Sequence, residues 1–558
     1  MRPKASSPSR RTSKRVCKES DMVADQAPES MDRRRFLGAA GASLAAASGL
    51  AHLAHAQPEG DDSTMADRPN ILIYMNDQEQ ALPTLAGHPC STPNADRLAA
   101  EGIRFNRCYT TTAHCCPSRA SLMTGLYPSG HGIHNNILNT MALGTDIPES
   151  IPMWSESLAE AGYSMKFSGK WHVCCNRDPK DTGWDELLAQ ATGGGLHGRE
   201  WEHWEQLAAH RERHDWPAER GAVERPGWGT YRHYGTARQP DGVTHDYNPG
   251  DYNIVTTGLQ GLQEAARDAD PWCVYIGPNG PHDPYIVPEK YATMYDPAEI
   301  PMPESWLDDC RDKPVIYQRQ RKLWGQLSPD EQREAVAHYW GYCTMQDDLL
   351  GMVLGQLEET GQAENTLVIF LSDHGDYNGA HGLWMKGIPA FDEAYHIPCI
   401  MRWPGGIRNP GREVDQFVTL PDLAPTFVEL AGGPSLGEIH GRSVAPFLRD
   451  EAPEDWTDMF CTQMNGVELY YSQRSVRTEE WKYVFNGFDW DELYYLPEDP
   501  HEIRNLAPRG GDPSPEVDEV LREMCSRMWQ FARQTGDIMK NPYGTVGLAP
   551  YGPMVGLE

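Results

Sequence analysis

The sequence predicts an α/β fold: a large, mostly parallel sheet flanked by helices, with a smaller antiparallel sheet and a closing helix towards the C-terminus. Three observations predict it. Short apolar runs that end in polar residues recur along the chain, as buried parallel strands do. Segments with helix start and stop signals separate them, and that alternation builds parallel sheets. Beyond residue 410 the pattern changes to short, alternating, aromatic-rich pieces divided by turn residues.

The elements follow in order. "PNILIYMNDQ" from Pro69 reads as the first strand. "TPNADRLAAEG" from Thr92 opens on Thr-Pro and stops on glycine, hence a helix. "IPMWSESLAEAGYSMKFSGKWH" from Ile151 reads as helix, turn and strand. "PWCVYIGPNGPHDPY" from Pro271 is a strand that runs into a Pro/Gly/His loop. Gln332 to Thr360 is a long amphipathic helix, and "NTLVIFLSDHGD" from Asn365 is the strongest strand of the chain. After "LPDLAPTFVELAGG" come the short strands, closed by a helix near Val517–Thr535. These elements divide the chain into a leader over 1–56, a main α/β unit over 68–410 with an insertion over 193–251, and a C-terminal α+β subdomain over 411–558.

A chain of 558 residues, 39% hydrophobic and 23% charged, can bury a large core and has the composition of a globular enzyme. The formal net charge of −31 excludes a nucleic-acid binder and simple docking on anionic lipid. An anionic substrate then requires a local cationic pocket. From Met31, Arg33-Arg34 followed by Phe36-Leu37, a weakly apolar run and Ala54-His55-Ala56 have the form of a cleavable twin-arginine export signal. The expectation is an exported protein, periplasmic or extracellular, with no stable membrane insertion after cleavage; either Met1 or Met31 serves as the start. The 13 cysteines are irregularly spaced, which argues against a disulfide scaffold.

Ligands bind beyond the carboxyl ends of strands in open parallel sheets. Asp77, His282, Asp373 and His374 all fall there, from distant segments. In "TTTAHCCPSRASLMTGLYPSGHG" from Thr110, Pro117 fits the first turn of a helix that runs over Ser118–Thr124 and stops at Gly125. Cys115 is then expected just before a helix N-terminus, which favours an anion, with Arg119 one turn inside.

"CCPSRASLMTG" resembles the signature of the formylglycine-dependent sulfatases, an alkaline phosphatase-like family, and Pro117 and Arg119 set the register on Cys115. The resemblance continues through "NILIYMNDQ", "SGKWH", "PHDPY", "SDHGD", "WMKGIPAFDEAYHIP" and "DELYYLPEDPHEIRNL". Asp373-His374 looks like the branch that holds choline sulfatases and phosphonate monoester hydrolases. The resemblance implies hydrolysis of a sulfate ester, with a sulfated carbohydrate as the expected substrate, and release of sulfate. It implies that a formylglycine-generating enzyme converts Cys115 to formylglycine (3-oxoalanine), whose hydrate is the nucleophile. A divalent metal, Ca2+ with Mn2+ or Mg2+ as alternatives, is implied on Asp77, Asp373, His374, Asn76 and position 115. The resemblance further implies that Arg119 braces that position, that Lys170 and Lys386 bind the sulfuryl oxygens, and that His172 is the base and His282 the acid for the departing alcohol.

Two other readings remain open at this level: a phosphodiester or phosphonate monoester hydrolase using the same pocket, and a non-catalytic thiol- or metal-binding protein. Among blander features, Cys174-Cys175 with Cys115-Cys116 make a poor zinc site, because adjacent cysteines chelate tetrahedrally with difficulty. His210 and His214 read as one face of a solvated helix, and Asp347-Asp348 as capping or pairing residues. The aromatic insertion, with Trp201, Trp204, Trp216, Trp228, Tyr231, His233 and Tyr234, is expected to wall the substrate cleft.

Overall fold

The computed structural model describes residues 68–138, 141–190, 220–225, 229–237, 246–467, 469–487, 489–540 and 548–557. The leader, His210, His214, Trp201, Trp204, Trp216 and Trp228 lie outside the described residues.

The main strands are β1 (Asn70–Asn76), β2 (Ile103–Phe105), β3 (Ser164–Lys170), β4 (Asp185–Gln190), β5 (Ala222–Arg225), β6 (Gly229–Arg232), β7 (Trp272–Gly277), β8 (Thr366–Ser372), β9 (Cys399–Arg402), β10 (Arg412–Val414), β11 (Phe460–Met464), β12 (Gln473–Arg477), β13 (Trp481–Asn486) and β14 (Glu492–Tyr495). The main helices are α1 (Pro93–Glu101), α2 (Cys115–Thr124), α3 (Trp154–Glu160), α4 (Pro249–Ala265), α5 (Pro329–Thr360), α6 (Leu420–Ala431) and α7 (Pro515–Gln534).

An eight-stranded sheet in the order β10-β2-β9-β8-β1-β7-β3-β4 forms the centre. Its pairs are parallel except where β9 runs against β8 and β2. Strand β1 explains its own depth: alternate residues point to opposite faces, so a strand covered on both sides must be apolar throughout. Ile71, Ile73 and Met75 join the core shared with α2, α3 and α6, whereas Leu72 and Tyr74 join the core shared with α1, α4 and α5. Truncating Ile73, which is fully buried, to alanine costs about 2–5 kcal/mol. The antiparallel sheet β11-β12-β13-β14 begins at Phe460, while β10 and α6, also beyond residue 410, belong to the large sheet and its helical layer. No helix among the described residues is long and apolar enough to cross a membrane.

The two acids of α5 act as expected of capping and pairing residues. Asp347 accepts from the backbone N–H of Asn94 and Ala95 at 2.9 and 2.8 Å, which satisfies free donors in the first turn of α1. Asp348 pairs with Lys290 at 3.0 Å.

Candidate active site

Three strand ends on the same edge of the large sheet deliver the site, β8 and β1 side by side and β3 one strand beyond, across β7. β1 leads into Asp77, β8 into Asp373-His374, and β3 ends on Lys170. Helix α2 brings Cys115 and Arg119 to the same point. Cys115 is the first residue of that helix, one turn earlier than Ser118, because Pro117 occupies the third helical position, where a backbone N–H has no partner to lose.

Asp77, Cys115, Asp373 and His374 present one donor atom each, all within 4.8 Å of one another and all buried. Cys115 Sγ lies 3.1 Å from His374 Nε2 and 3.8 Å from Asp77 Oδ1. His374 Nε2 is 3.7 Å from Asp77 Oδ1 and from Asp373 Oδ1. Two hard carboxylates, an imidazole and a sulfur in so small a volume fit a divalent cation. Arg119 backs them: its Nε donates to Asp373 Oδ2 at 2.7 Å, and a terminal nitrogen to Asp77 Oδ2 at 3.3 Å. Its other terminal nitrogen donates to Tyr275 and to the carbonyl of Lys170. The Lys170 ammonium also binds Asp77 Oδ2.

This charge separates the two cysteines. Burial opposes ionisation of Cys115, but Lys170, His374, Lys386 and His172 outweigh it and hold the thiol well below its usual value. Burial pushes Cys116 up instead, and its sulfur faces Asn136. Burial likewise opposes the positive charge of His374, yet Asp373 and Cys115 push it up to about 9.

On the far side, Lys386 contacts His282 Nε2 and lies 3.4 Å from Asp283 Oδ1. His172 is buried beside Cys115, and its backbone φ of 52° is unusual for a residue other than glycine. Burial and the nearby Lys170 lower its pKa, so the ring stays neutral and able to take a proton.

The structure therefore brings together Asp77, Cys115, Arg119, Lys170, Asp373 and His374, and sets Lys386 with His282 beside them. Asn76 makes no side-chain hydrogen bond to this group, and its Oδ1 is buried without a partner. Neighbouring strand residues point to opposite faces, and Asn76 turns towards the α5 side, where its amide donates to Glu79. Gln78, two residues on with a φ of 68°, occupies the Asp77 side. Its N–H donates to Asp373 Oδ1 at 3.1 Å, and its side-chain oxygen accepts from Lys386. Sequence reading passed over Gln78 and also His114, whose pKa burial lowers to about 3. Strand alternation would have put Gln78 on the Asn76 side, and the positive φ that turns it to the other side leaves no mark in the sequence.

The four thiols do not converge: Cys174 faces the Arg177 carbonyl and Cys175 is exposed. In the insertion, His233 and Tyr234 do not wall a cleft. They are 0% and 3% exposed and pack with Tyr285, Trp324 and Trp384, since flat apolar rings gain more from burial than from an open face.

The family model described as Sulfatase matches residues 69–433. The chain belongs to the sulfatase family. A second model, described as N-sulphoglucosamine sulphohydrolase, C-terminal, matches residues 379–534. The choline-sulfatase of Rhizobium meliloti (strain 1021) is 29% identical over 83% of this chain and 87% of its own. The N-acetylglucosamine-6-O-sulfatase of Bacteroides thetaiotaomicron is 25% identical over 82% and 86%. The solved phosphonate monoester hydrolase of Silicibacter pomeroyi superposes with a TM-score of 0.66 at 24% identity, over 85% of this chain and 97% of that one, so the fold is alkaline phosphatase-like as expected. The sulfatase is thus an enzyme that hydrolyses sulfate esters, which sets aside the non-catalytic thiol- or metal-binding reading.

Proposed function

We propose that this sulfatase is exported and hydrolyses a sulfated carbohydrate, with Cys115 matured to formylglycine and a divalent metal held by Asp77, Asp373 and His374. The observation that carries this reading is the position of Cys115 Sγ inside the group formed by those three residues, braced by Arg119. When present, formylglycine supplies an oxygen nucleophile and the metal a Lewis acid. Two carboxylates favour a hard ion such as Ca2+ or Mg2+, and the imidazole admits Mn2+.

The chain's own residues do the rest. Lys170 and Arg119 stand on the side of Asp77 and Asp373 and offset negative charge that gathers on sulfuryl oxygens. Lys386 and His282 hold a proton for the departing alcohol oxygen, and neutral His172 is the acceptor for the later proton. The carbohydrate preference is supported by the N-acetylglucosamine-6-O-sulfatase among the relatives, and export by the twin-arginine form of the leader.

The test is mass spectrometry of the Cys115 peptide from protein made with a formylglycine-generating enzyme, followed by sulfate release from sulfated amino sugars, choline sulfate and a phosphonate monoester. An aldehyde at 115 with preferred turnover of the sugars is expected. An intact thiol in an active enzyme would overturn the formylglycine assignment. Preference for the phosphonate would favour the phosphonate reading that the Asp373-His374 pair resembles.

A further inference from the structure

The Lys386–His282 pair is steered from outside the catalytic strands. The Nδ1 of His282 lies 2.6 Å from the carbonyl oxygen of Asp283, so Nδ1 carries a hydrogen and donates it there. Nε2 is then a lone pair, which accepts from the Lys386 ammonium. One mobile proton is thereby shared between the two side chains. Asp283 Oδ1 lies beside both, at 3.5 Å from His282 Nδ1 and 3.4 Å from Lys386 Nζ. Burial opposes the charge of this carboxylate, but His282 and Lys386 hold it ionised, below the usual range.

What sets the rotation of that carboxylate is its other oxygen. Asp283 Oδ2 accepts a hydrogen bond of 2.7 Å from the hydroxyl of Tyr231. Tyr231 lies on β6, within the insertion and far in sequence from every catalytic motif. The hairpin that carries it is fastened to the helical layer. Arg220 binds Glu334 with bonds of 2.6 to 2.9 Å, the N–H of Gly221 donates to Glu331 at 3.1 Å, and the N–H of Glu224 donates to Gln326 at 3.0 Å. The N–H of Tyr285, two residues beyond Asp283, donates to the His233 carbonyl at 2.8 Å. Tyr231 is therefore held from both sides while its hydroxyl reaches the carboxylate.

We propose that Tyr231 is a positioning residue which, by fixing the Asp283 carboxylate, aims the proton shared by Lys386 and His282 at the leaving oxygen, so that the insertion sets how poor a leaving group the enzyme can expel. This rests on the sulfatase reading above. As the sulfuryl group passes to the oxygen nucleophile, the S–O bond to the alcohol breaks. The departing oxygen keeps the electron pair and takes that proton. An activated phenol leaves readily as its anion and needs little of this help; a sugar or alkyl oxygen needs it fully. A tyrosine hydroxyl some distance from the sulfuryl group thereby becomes a determinant of substrate class.

The experiment uses the matured, metal-loaded enzyme and sulfate esters that span 4-nitrophenyl, phenyl and a sugar alcohol. Tyr231→Phe is expected to lower kcat/KM for the sugar ester on the order of tenfold more than for 4-nitrophenyl sulfate. The slope of rate against leaving-group pKa steepens accordingly. Tyr234→Phe is the control: it loosens the same segment by removing the 2.6 Å bond to Glu334 and leaves Asp283 untouched, so it is expected to lower all three substrates alike. Equal losses across the series for Tyr231→Phe, or none, would overturn the proposal while leaving the sulfatase reading intact. A wild-type enzyme that releases sulfate from none of the esters would overturn that reading and this one with it.

Discussion

Arg119 and Arg474 are both buried arginines at 2% exposure, and they are used in opposite ways. Arg474, on β12, meets Asp537 with paired bonds of 2.6 and 2.7 Å, and its remaining donors go to the carbonyls of Met464 and Gln473 and to Asn465. Asp537 accepts in addition from Gln463 and from the N–H of Met539. One cation faces one anion, and both are saturated. Arg119 faces two carboxylates and takes one oxygen of each. The other oxygens, Asp77 Oδ1 and Asp373 Oδ1, point at His374. A closed pair of this kind holds β12 to the segment after α7. An open one gathers surplus negative charge at a point where further positive charge and a nucleophile can be used, and the difference lies in how many lone pairs are left over.

The largest effect comes from removing the atom at the centre of the open cluster. Cys115→Ala should lower turnover on the order of 10^4-fold or more, with thermal unfolding hardly changed, while Cys116→Ala keeps most activity. Steady-state kinetics and a melting curve on each variant check this, and the reverse pattern would move the register of the motif by one residue. Next, opening the closed cluster with Arg474→Met should cost about 3–5 kcal/mol by urea unfolding, because it strands a buried carboxylate. The kcat of the folded fraction should stay near wild type. A large loss of kcat without loss of stability would erase the contrast between the two arginines.

A smaller effect separates two neighbours in the open cluster. In chelated protein titrated with Ca2+ or Mn2+, Asp373→Ala should weaken binding at least on the order of tenfold more than Asn76→Ala, since one removes a full charge and the other at most a dipole. Equal affinities would show that Asn76 does reach the ion. The smallest effect concerns acid. Burial opposes ionisation of Asp537, but Arg474 holds its folded-state pKa below the unfolded value. Its contribution is complete above the unfolded carboxylate pKa of about 3.9 and is lost as pH falls below that. The stability of Asp537→Asn, though lower throughout, should change less with pH over that acid range, as urea midpoints between about pH 3 and 6 will report.

The sheet was legible in the sequence because a strand buried on both faces must be an unbroken apolar run, and β1, β7 and β8 are such runs. Asp77 and Asp373-His374, two parts of the buried group, were legible because they sit at the ends of two of those runs. What escaped reading depends on pairings across the fold. Tyr231 meets Asp283 across 52 residues and Gln78 meets Lys386 across 308, and nothing local to either residue announces its partner. Asn76 shares a motif with Asp77, yet its amide donates to Glu79, three residues on, and that bond too has no mark in the sequence. The aromatic content of the insertion did not distinguish His233, sealed among Trp324 and Trp384, from Tyr231, which reaches the site.

Cys115 is 2% exposed at the first turn of a helix packed beneath the strand ends. No enzyme can take that thiol into its own active centre once the helix has docked. The conversion proposed above would therefore have to act on a chain that is still being made or is not yet folded. If the leader serves as the twin-arginine signal proposed above, the protein crosses the membrane already folded. Taken together, the proposed maturation and the proposed export would set an order of events across compartments: the residue modified first, the fold closing over it second, and the chain leaving the cell interior last. On that reading, a cell that lacks the modifying enzyme on the inner side would export a well-folded protein that nothing outside could repair.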